Sequence, residues 1–435
     1  VEQYGGEITG KEDGRQALEL SKEFYSDDSG QLYFIPFQAG EDRNAGFPQT
    51  APYIRWDVYE KIGEPDVADM DDLLNVLKQM QDAYPETEDG KRVYAISGCL
   101  ADAAWNTFSM TAAESFIGFR KFGYGLVGIN TYDPSQLIAA METPDSPTWK
   151  LFRFYNKAYQ MGILDPDALT MKFDQWIEKI SAGQVLYSPL DVSQQTIMGD
   201  PGKFFLPVPF ESYDNDSFTA SYNYAVGNFT YAISKRCANP EKAMELLNFA
   251  WSYEGATMFA NGVQGDTWDM IDGKPQMLED YVDGTKTGME NAALFNTFYG
   301  PCLNEETGEN IVLRKTSDYY EKYVRTEAAA KYCEKYQVDS PIENFTKVQN
   351  HVYNVVWDSL YVKETDQMED IDNNIQLYFL TNVPKVVAAA SDQEFEAMRE
   401  EIMDDINAMG AAELVESLRE TYQAKAAGLS EILGE

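Results

Sequence analysis

The sequence has a single histidine, His351, among 435 residues. Ser-His-Asp and Cys-His catalysis, and zinc sites built on paired histidines, would all have to use this one residue. It lies in NFTKVQNHVYNVVWDSL, where valines at helical spacing predict a helix that carries a surface or half-buried histidine. Histidine-based catalysis is therefore disfavoured, whereas chemistry that needs only carboxylates, such as glycoside hydrolysis, stays open.

Basic residues are also few, with 34 Lys and Arg against 72 Asp and Glu, which gives a net charge of −38. A field of this sign repels phosphate backbones and argues against nucleic-acid binding. It also disfavours anionic membrane faces and strongly anionic substrates, unless a local basic pocket or a bound cation intervenes. Neutral ligands and cations remain as binding partners.

Cysteine is scarce and long apolar runs are absent. The four cysteines form no CxxC pair and no metal-like cluster, so a disulfide framework is not expected, although one pair could bridge. No stretch reaches the apolar length that spans a bilayer, and VEQYGGEITGKEDG at the start has neither the basic head nor the apolar centre of a signal peptide. We predict no cofactor.

The sequence does contain the alternation of strands and helices that is typical of α/β proteins, and its length makes two domains the default. Strands are predicted in QLYFIPFQAG (31–40), RVYAISG (92–98) and QVLYSPL (184–190). Helices are predicted in APYIRWDVYEKIGEP (51–65), Met70–Tyr84, TWKLFRFYNKAYQMG (148–162) and FDQWIEKISAG (173–183). This order predicts mostly parallel sheets up to Gly265 and a mainly helical chain beyond it, ending in a helix at 412–423.

The stretch NPEKAMELLNFAWSYEGATMFANGVQGDTW (239–268) gives the clearest local signals. Asn239 and Ser252 are predicted N-caps of two helices, and Gly262 is a predicted helix end. Five apolar residues at helical spacing predict the buried face of the first helix: Ala243, Leu246, Leu247, Ala250 and Trp251.

Several segments, taken together and in order, carry a resemblance that covers almost the whole chain. They are APYIRWDVYEKIGEPDVADMDDLLNVLKQM, YQMGILDPDALTMKFDQWIEKISAGQVLYS, the stretch 239–268, and the C-terminal MEDIDNNIQLYFLTN with EFEAMREEIMDDINAMGAAELVESLRETYQ. This set resembles the extracellular solute-binding proteins of family 1, the carbohydrate-binding lipoproteins of ABC transporters, in their long Gram-positive branch. By this resemblance the chain starts after the family's signal peptide, lipidated cysteine and first strands. Either the sequence is a fragment, or its first lobe is built differently.

The resemblance implies a two-lobe, type II periplasmic-binding-protein-like fold with extra C-terminal helices. Lobe 1 would comprise residues 1–55 and 232–265, and lobe 2 residues 56–231 and 266–435. It further implies a monomeric, extracellular protein that is anchored to the membrane. This protein would capture an oligosaccharide in the cleft by hinge bending of its lobes and deliver the sugar to the permease subunits of an ABC importer. The alternatives are a glycan-active hydrolase with paired carboxylates, or a peptide- or cation-binding relative on the same fold.

A sugar is held by aromatic rings under its C–H face and by polar side chains at its edge. Trp105 follows a strand end, where α/β sheets place ligands, and Tyr187 and Asp191 end the strand that the family turns toward its ligand. Burial, or a solvated turn for Asp191, is the alternative for each. Further candidates are Trp268, Asp266, Gln38 and Trp56. For Trp56, burial at the hinge is the alternative to ligand contact.

Some relatives carry a calcium loop at the position of YPETEDGKRVY (84–94). Glu86, Glu88 and Asp89 supply oxygen atoms there, but Tyr84 stands where the leading aspartate would be, and the spacing is not that of an EF-hand. A solvated acidic turn is the favoured interpretation of these three residues.

Overall fold

A computed structural model describes most of the chain. The described residues are 1, 3–26, 29–36, 38–43, 45–48, 50–101, 119–122, 126–130, 133–139, 141–192, 197–200, 202–209, 220–222, 230–283, 300–348, 357, 360 and 365–433. His351 and Trp105 lie outside these ranges. Trp357 is 2% exposed.

The strand Thr50–Arg55 is the centre of what we call the mixed sheet. It pairs antiparallel with Tyr187–Leu190 on one side and with Phe205–Pro207 on the other. Parallel bridges at Tyr94–Val185 and Ile96–Leu164 extend the sheet beyond Tyr187–Leu190. Every residue of Thr50–Arg55 is buried, as befits a strand with neighbours on both sides.

Two predictions about this region are wrong. Residues 51–65 were predicted to form one helix, but the chain is a strand up to Arg55 and a helix only over Trp56–Lys61. A strand buried on both faces has a continuous apolar pattern, which does not separate it from a buried helix. The sheets are also not mostly parallel, because each described ladder is antiparallel and parallel pairing is confined to isolated bridges.

The remaining described strands form small antiparallel sheets. Their pairs are Ile35–Pro36 with Thr230–Tyr231, Glu41–Arg43 with Ala220–Tyr222, and Trp268–Ile271 with Lys274–Met277. A three-stranded sheet joins Phe119–Phe122, Val127–Asn130 and Asp133–Ala139.

Helices cover much of the described chain. Up to residue 282 they are Gly6–Gly10, Glu12–Phe24, Trp56–Lys61, Met70–Ala83, Pro147–Gln160, Phe173–Ser181, Pro240–Ala250, Tyr253–Asn261 and Glu279–Val282. Later come Ser317–Tyr319, a π-helical turn at Tyr320–Val324, Glu327–Tyr336, Pro341–Val348, Asp366–Val387, Asp392–Ala408 and Ala411–Leu433. Short 3-10 turns lie at Pro166–Leu169 and Leu313–Lys315. The predicted helices at 70–84, 148–162 and 173–183 are confirmed, and the last helix extends ten residues beyond its predicted end.

The predicted caps at 239–262 are confirmed. The side chain of Asn239 accepts the Lys242 N–H at 3.4 Å, that of Ser252 accepts the Gly255 N–H at 3.1 Å, and Gly262 ends its helix at φ +88°. The predicted apolar face was partly wrong, because Leu246 is 47% exposed. The buried side of this helix is formed by Met244, Leu247, Ala250 and Trp251.

A buried amide side chain connects the C-terminal helices to the helix Pro147–Gln160. The Nδ2 atom of Asn156, which has no exposed surface, donates to the carbonyls of Val387 at 3.0 Å and Ala389 at 2.8 Å. Arg153 pairs with Asp392 at 3.1 Å beside this joint. These contacts anchor the end of Asp366–Val387 next to the mixed sheet.

Among the described residues, no helix combines the length and apolarity needed to cross a membrane. All four cysteines are free thiols, and Cys99, Cys302 and Cys333 are buried. The bridge that the sequence left open is therefore not formed.

Candidate functional site

Parallel strand segments end together at one edge of the mixed sheet, which we call the strand-end edge. The segments around Ile96, Leu164 and Val185 run in the same direction, so Ser97, Asp165 and Asp191 come at or just after their carboxyl ends. In open α/β sheets, ligands bind outside the carboxyl ends of the strands. This edge is therefore the candidate functional site of the described chain.

Asp191 is the exposed carboxylate at the strand-end edge. It directly follows the strand Tyr187–Leu190, whose last residue pairs with Thr50 at the start of the central strand. Val192, the next residue, is 4% exposed, so the backbone around Asp191 is held by packing. An exposed carboxylate on an anchored backbone can accept hydrogen bonds from ligand hydroxyl groups.

A buried ion pair lies at the same edge. Asp165, which is 1% exposed, accepts a hydrogen bond from Ser97 Oγ at 2.9 Å and from Lys179 Nζ at 2.7 Å. Lys179 also reaches Asp167 at 2.8 Å. Burial lowers the pKa of Lys179, but its bonds to the two carboxylates outweigh this effect, so its pKa is raised and the ammonium stays charged. The sequence did not lead us to predict this cluster as part of the site. Its only signal in the sequence was the segment ILDPD, which contains Asp165 and Asp167.

Tyr187 is a buried member of the strand that leads to Asp191. It pairs with Ile54 and is 1% exposed, with its ring 6.3 Å from that of Phe154. The parallel bridge between Tyr94 and Val185 puts Tyr187 level with Ile96, and a rise of about 3.3 Å per residue puts it about 10 Å from Leu190 along the strand. Its ring packs in the core in this structure, and its ligand contact stays a prediction.

Gln38 lies on a different part of the molecule and is 9% exposed. It lines a small cavity together with Gly300, Pro301 and Asn310, beside the parallel bridge between Ala39 and Pro301. The cavity measures about 10 Å³, which is room for at most one water molecule. Gln38 could reach a sugar only from the outer rim of this cavity.

The loop that ends at Trp268 is closed by its own hydrogen bonds. The indole N–H of Trp268 donates to the Gly262 carbonyl at 3.1 Å, and Thr267 Oγ1 donates to the Asn261 carbonyl at 2.5 Å. Trp268 is half-buried, and Asp266 is exposed at the tip of the turn. The loop therefore presents one aromatic ring and one carboxylate on a rigid frame, and both stay predicted ligand contacts.

Trp56 packs in the core in this structure, and its ligand contact stays a prediction. It is 2% exposed and packs on the rings of Tyr59 at 5.1 Å and Tyr332 at 5.3 Å. It also follows Arg55 at the end of the central strand opposite Thr50, so it lies away from the strand-end edge. The other tryptophan candidate, Trp105, lies outside the described residues.

The carboxylates of the predicted acidic turn are paired with cations of this chain. Glu88 bonds Lys203 at 2.8 Å, and Asp89 pairs with Lys91 at 3.0 Å. A hydrogen bond from Thr87, and then one from Lys91, lowers the pKa of Asp89. No group of three or more metal-ligating side chains suitable for a metal ion occurs in the described residues, so Glu86, Glu88 and Asp89 stay weak candidates for calcium.

The chain resembles solved structures, although its sequence matches no protein-family model and no curated protein. Among solved structures, an HMO-binding, ABC-transporter-associated solute-binding protein from Bifidobacterium longum infantis is 14% identical, with a TM-score of 0.66 over 98% of this chain and 82% of that one. The alginate-binding protein AlgQ2 is 15% identical, with a TM-score of 0.60 over 97% and 80% of the two chains.

A third neighbour is the ABC-transporter substrate-binding protein FusA of S. pneumoniae, whose structure contains kestose. It is 14% identical and has a TM-score of 0.58 over 98% of this chain and 82% of that one. All three neighbours are described as binding proteins, two of them as binding proteins of ABC transporters. The chain thus has the two-lobe α/β fold of ABC-transporter solute-binding proteins, as the sequence predicted.

Proposed function

We propose that this chain is the substrate-binding component of an ABC importer and captures an oligosaccharide between its two lobes. The observation that carries the proposal is the likeness of fold over 97–98% of the chain to solute-binding proteins described as binding alginate, HMO or kestose. The strand-end edge supports it, because this fold needs polar groups at the carboxyl ends of its strands. In this proposal the protein is not an enzyme.

The proposed ligand contacts come from separate parts of the chain. Asp191 would accept hydrogen bonds from sugar hydroxyls, and the half-buried ring of Trp268 would pack against a C–H face. Asp266 and Gln38 would add polar contacts, and Trp105 is retained as a proposed aromatic contact. Mixed polar and aromatic contacts of this kind suit a neutral or mildly charged glycan.

The sequence boundaries place residues 1–55 and 232–265 in lobe 1 and residues 56–231 and 266–435 in lobe 2. We propose two changes from the strand pairing: Thr50–Arg55 joins lobe 2, because it pairs with Tyr187–Leu190 and Phe205–Pro207, and Ala220–Tyr222 and Thr230–Tyr231 join lobe 1, because they pair with Glu41–Arg43 and Ile35–Pro36. The hairpin Trp268–Met277 modifies this division, because Thr267 and Trp268 bond to the end of the helix Tyr253–Asn261. We therefore assign the hairpin to lobe 1. Closure would bend the segment Ala45–Thr50, which leads into the central strand.

The proposal includes the finer family placement, namely family 1 and its long lipoprotein branch. The full-length protein would then be a monomer that is anchored outside the cell by a lipid and docks on the permease subunits of its importer. An exported protein keeps four cysteines without a disulfide only if the cell surface is reducing or the thiols are shielded from oxidants. Burial shields three of the four cysteines in this way.

Ligand classes can be separated by a thermal-shift panel of neutral and acidic oligosaccharides, peptides and divalent cations. A ligand that binds only the native state raises the melting temperature, and the rise grows with the ratio of its free concentration to its Kd. We expect at least one oligosaccharide to raise Tm and to be recovered intact. Recovery of cleaved sugar would favour the hydrolase with paired carboxylates. A rise in Tm with peptides or cations alone would favour the peptide- or cation-binding relative on the same fold.

The role of Asp191 is tested with Asp191→Asn. Removing the charge weakens hydrogen bonds from ligand hydroxyls, so we expect Kd for the selected sugar to rise about 10-fold, which corresponds to about 1.4 kcal/mol. Isothermal titration calorimetry measures the change. Asp145→Asn, at an exposed turn residue before the helix Pro147–Gln160, is the matched control and should leave Kd unchanged. Equal Kd values for both variants would remove Asp191 from the site.

A further inference from the structure

The far end of the mixed sheet, opposite the strand-end edge, contains a buried arginine with an unused donor. Arg55 has no exposed surface, and its Nε and Nη2 atoms bond the Asp57 carboxylate at 2.8 Å each. Its third nitrogen, Nη1, is buried and has no hydrogen-bond partner among the described residues. Arginine has only donors, so Nη1 needs an acceptor, and an unmade bond of a buried charged group is costly.

A second unused polar atom lies beside Arg55. The guanidinium carbon of Arg55 is 5.6 Å from the centre of the Tyr84 ring, and the Tyr84 hydroxyl is buried without a partner in the described part of the chain. Two unmatched polar atoms on adjacent side chains point to one missing group that serves both. Isolated packing faults would not cluster in this way, because buried polar groups are nearly always paired.

Lys203 brings a third donor to the same place. Its side chain is 10% exposed, and its Nζ atom bonds Glu88 at 2.8 Å and lies 3.8 Å from the sulfur of Met198. A thioether is a weak acceptor, so this part of the ammonium is poorly matched. The space is shared with Arg55, because a Cβ atom on Gly183 would lie 2.9 Å from the Met198 sulfur and 3.5 Å from Arg55 Nη1.

Charged side chains of both signs surround this place. Arg55, Lys61 and Lys203 are matched in number by Asp57, Glu88 and Asp200, and Lys61 Nζ lies 5.4 Å from the centre of the Tyr84 ring. The formal charges therefore balance, and the preference for an anion comes from the unmatched atoms themselves. Arg55 Nη1 belongs to a cation and can only donate, so a bound group must offer it an acceptor.

We propose that Arg55 Nη1, Tyr84 Oη and Lys203 Nζ bind a small monovalent inorganic anion of the size of chloride. The anion accepts from all three donors and is held by charge-assisted hydrogen bonds. Because Arg55 ends the central strand, the bound anion fixes that strand at the end remote from Asp191. The site is independent of any sugar and of the proposed transport function.

The test compares melting temperatures in sodium chloride and in sodium gluconate at equal ionic strength, without sugar. Gluconate is much larger than chloride, so a site for an anion of the size of chloride should respond to chloride, which should raise Tm of the wild type by about 1–3 °C. Tyr84→Phe removes one donor and keeps the ring, and should abolish most of this difference. Tyr94→Phe is the matched control, because Arg92 lies over the Tyr94 ring at the same 5.6 Å, and it should keep the difference.

Crystals of the wild type soaked in sodium bromide give a second readout that does not depend on folding of a variant. We expect an anomalous peak within hydrogen-bonding distance of Arg55 Nη1 and Tyr84 Oη. An equal response of Tyr84→Phe and Tyr94→Phe to chloride would overturn the proposal. A water molecule without anomalous signal at that position would overturn it as well, whatever the thermal data.

Discussion

One buried side chain, Asn156, contributes strongly to the joint between the C-terminal helices and the helix Pro147–Gln160. It is fully buried on the helix Pro147–Gln160 and donates to the last carbonyls of the helix Asp366–Val387 and the residues after it. Helix ends leave carbonyls without intrahelical partners, so buried ones need such a donor. The amide oxygen is used too, because it accepts from Gln160 at 2.7 Å.

Asn156→Ala should lower the free energy of unfolding by about 2–4 kcal/mol, because two buried carbonyls lose their donor and a small cavity forms. Urea denaturation measures this loss. Asn75→Ala, at an exposed position of the helix Met70–Ala83, is the control and should change stability by less than about 0.5 kcal/mol. Similar values for the two variants would show that the joint contributes little.

At the scale of elements, the segment leading into the central strand is tightly constrained. Gly46 has φ +127°, its carbonyl accepts the Ile342 N–H at 2.8 Å, and a Cβ atom on it would lie 3.1 Å from the Tyr320 ring. Ala45 donates to the Lys315 carbonyl at 2.9 Å. Only glycine fits such a backbone angle against a buried ring.

Gly46→Ala should therefore cost about 2–4 kcal/mol, from backbone strain and from contact with Tyr320. Gly90→Ala is the matched control, since Gly90 has φ +78° but open space around its Cβ position, and it should cost about 1 kcal/mol. Urea midpoints give both values. If Gly46→Ala costs no more than Gly90→Ala, the Tyr320 ring does not restrict this segment.

The ion pair between Lys179 and Asp165 predicts a stability change at alkaline pH. The pKa of Lys179 is raised in the folded protein, so the folded state holds this proton more tightly than the unfolded chain. Its stabilising contribution is complete below the unfolded pKa of about 10.4 and is lost as pH rises through the folded pKa.

The stability difference between wild type and Lys179→Met should thus be constant from pH 8 to 9.5 and shrink above about pH 10.5. Urea midpoints of both proteins give this difference, in which the titration of the many tyrosines cancels. Lys150→Met, at an exposed lysine of the helix Pro147–Gln160, should show a difference that does not vary with pH. A constant difference for Lys179→Met would contradict the role of the pair.

The elements also show what the sequence can and cannot predict. The caps at Asn239 and Ser252 were predicted because a cap depends on a few adjacent residues. The strand Thr50–Arg55 was missed because burial on both faces removes the period that separates strand from helix. Its neighbours in the sheet are more than 100 residues away, and such pairings leave no local pattern.

The candidate site was less predictable than the elements, for a related reason. Tyr187 and Asp191 lie four residues apart in sequence, yet one is in the core and the other at the exposed edge, because only the sheet register assigns positions along a strand. Trp56 follows the end of the central strand that faces away from this edge, which depends on the antiparallel direction of that strand. Residue type and spacing do not contain this direction.

At the scale of the whole molecule, the proposed function would make ligand binding and lobe closure one equilibrium. A ligand shifts this equilibrium only by its difference in affinity for the open and closed forms. A sugar that touches both lobes, through Asp191 on one and Trp268 on the other, would bind the closed form more tightly. The radius of gyration from small-angle scattering should therefore fall as the selected oligosaccharide is added, and level off at saturation.

Asp191→Asn separates the ligand contact from the hinge in this experiment. The variant loses affinity but keeps the segment Ala45–Thr50, so it should need more sugar for half of the change and reach the same final radius of gyration. Gly46→Ala, if folded, should instead change the radius of the sugar-free protein or the final value. An unchanged radius for the wild type at saturating sugar would mean that binding does not close the lobes, whatever the affinity.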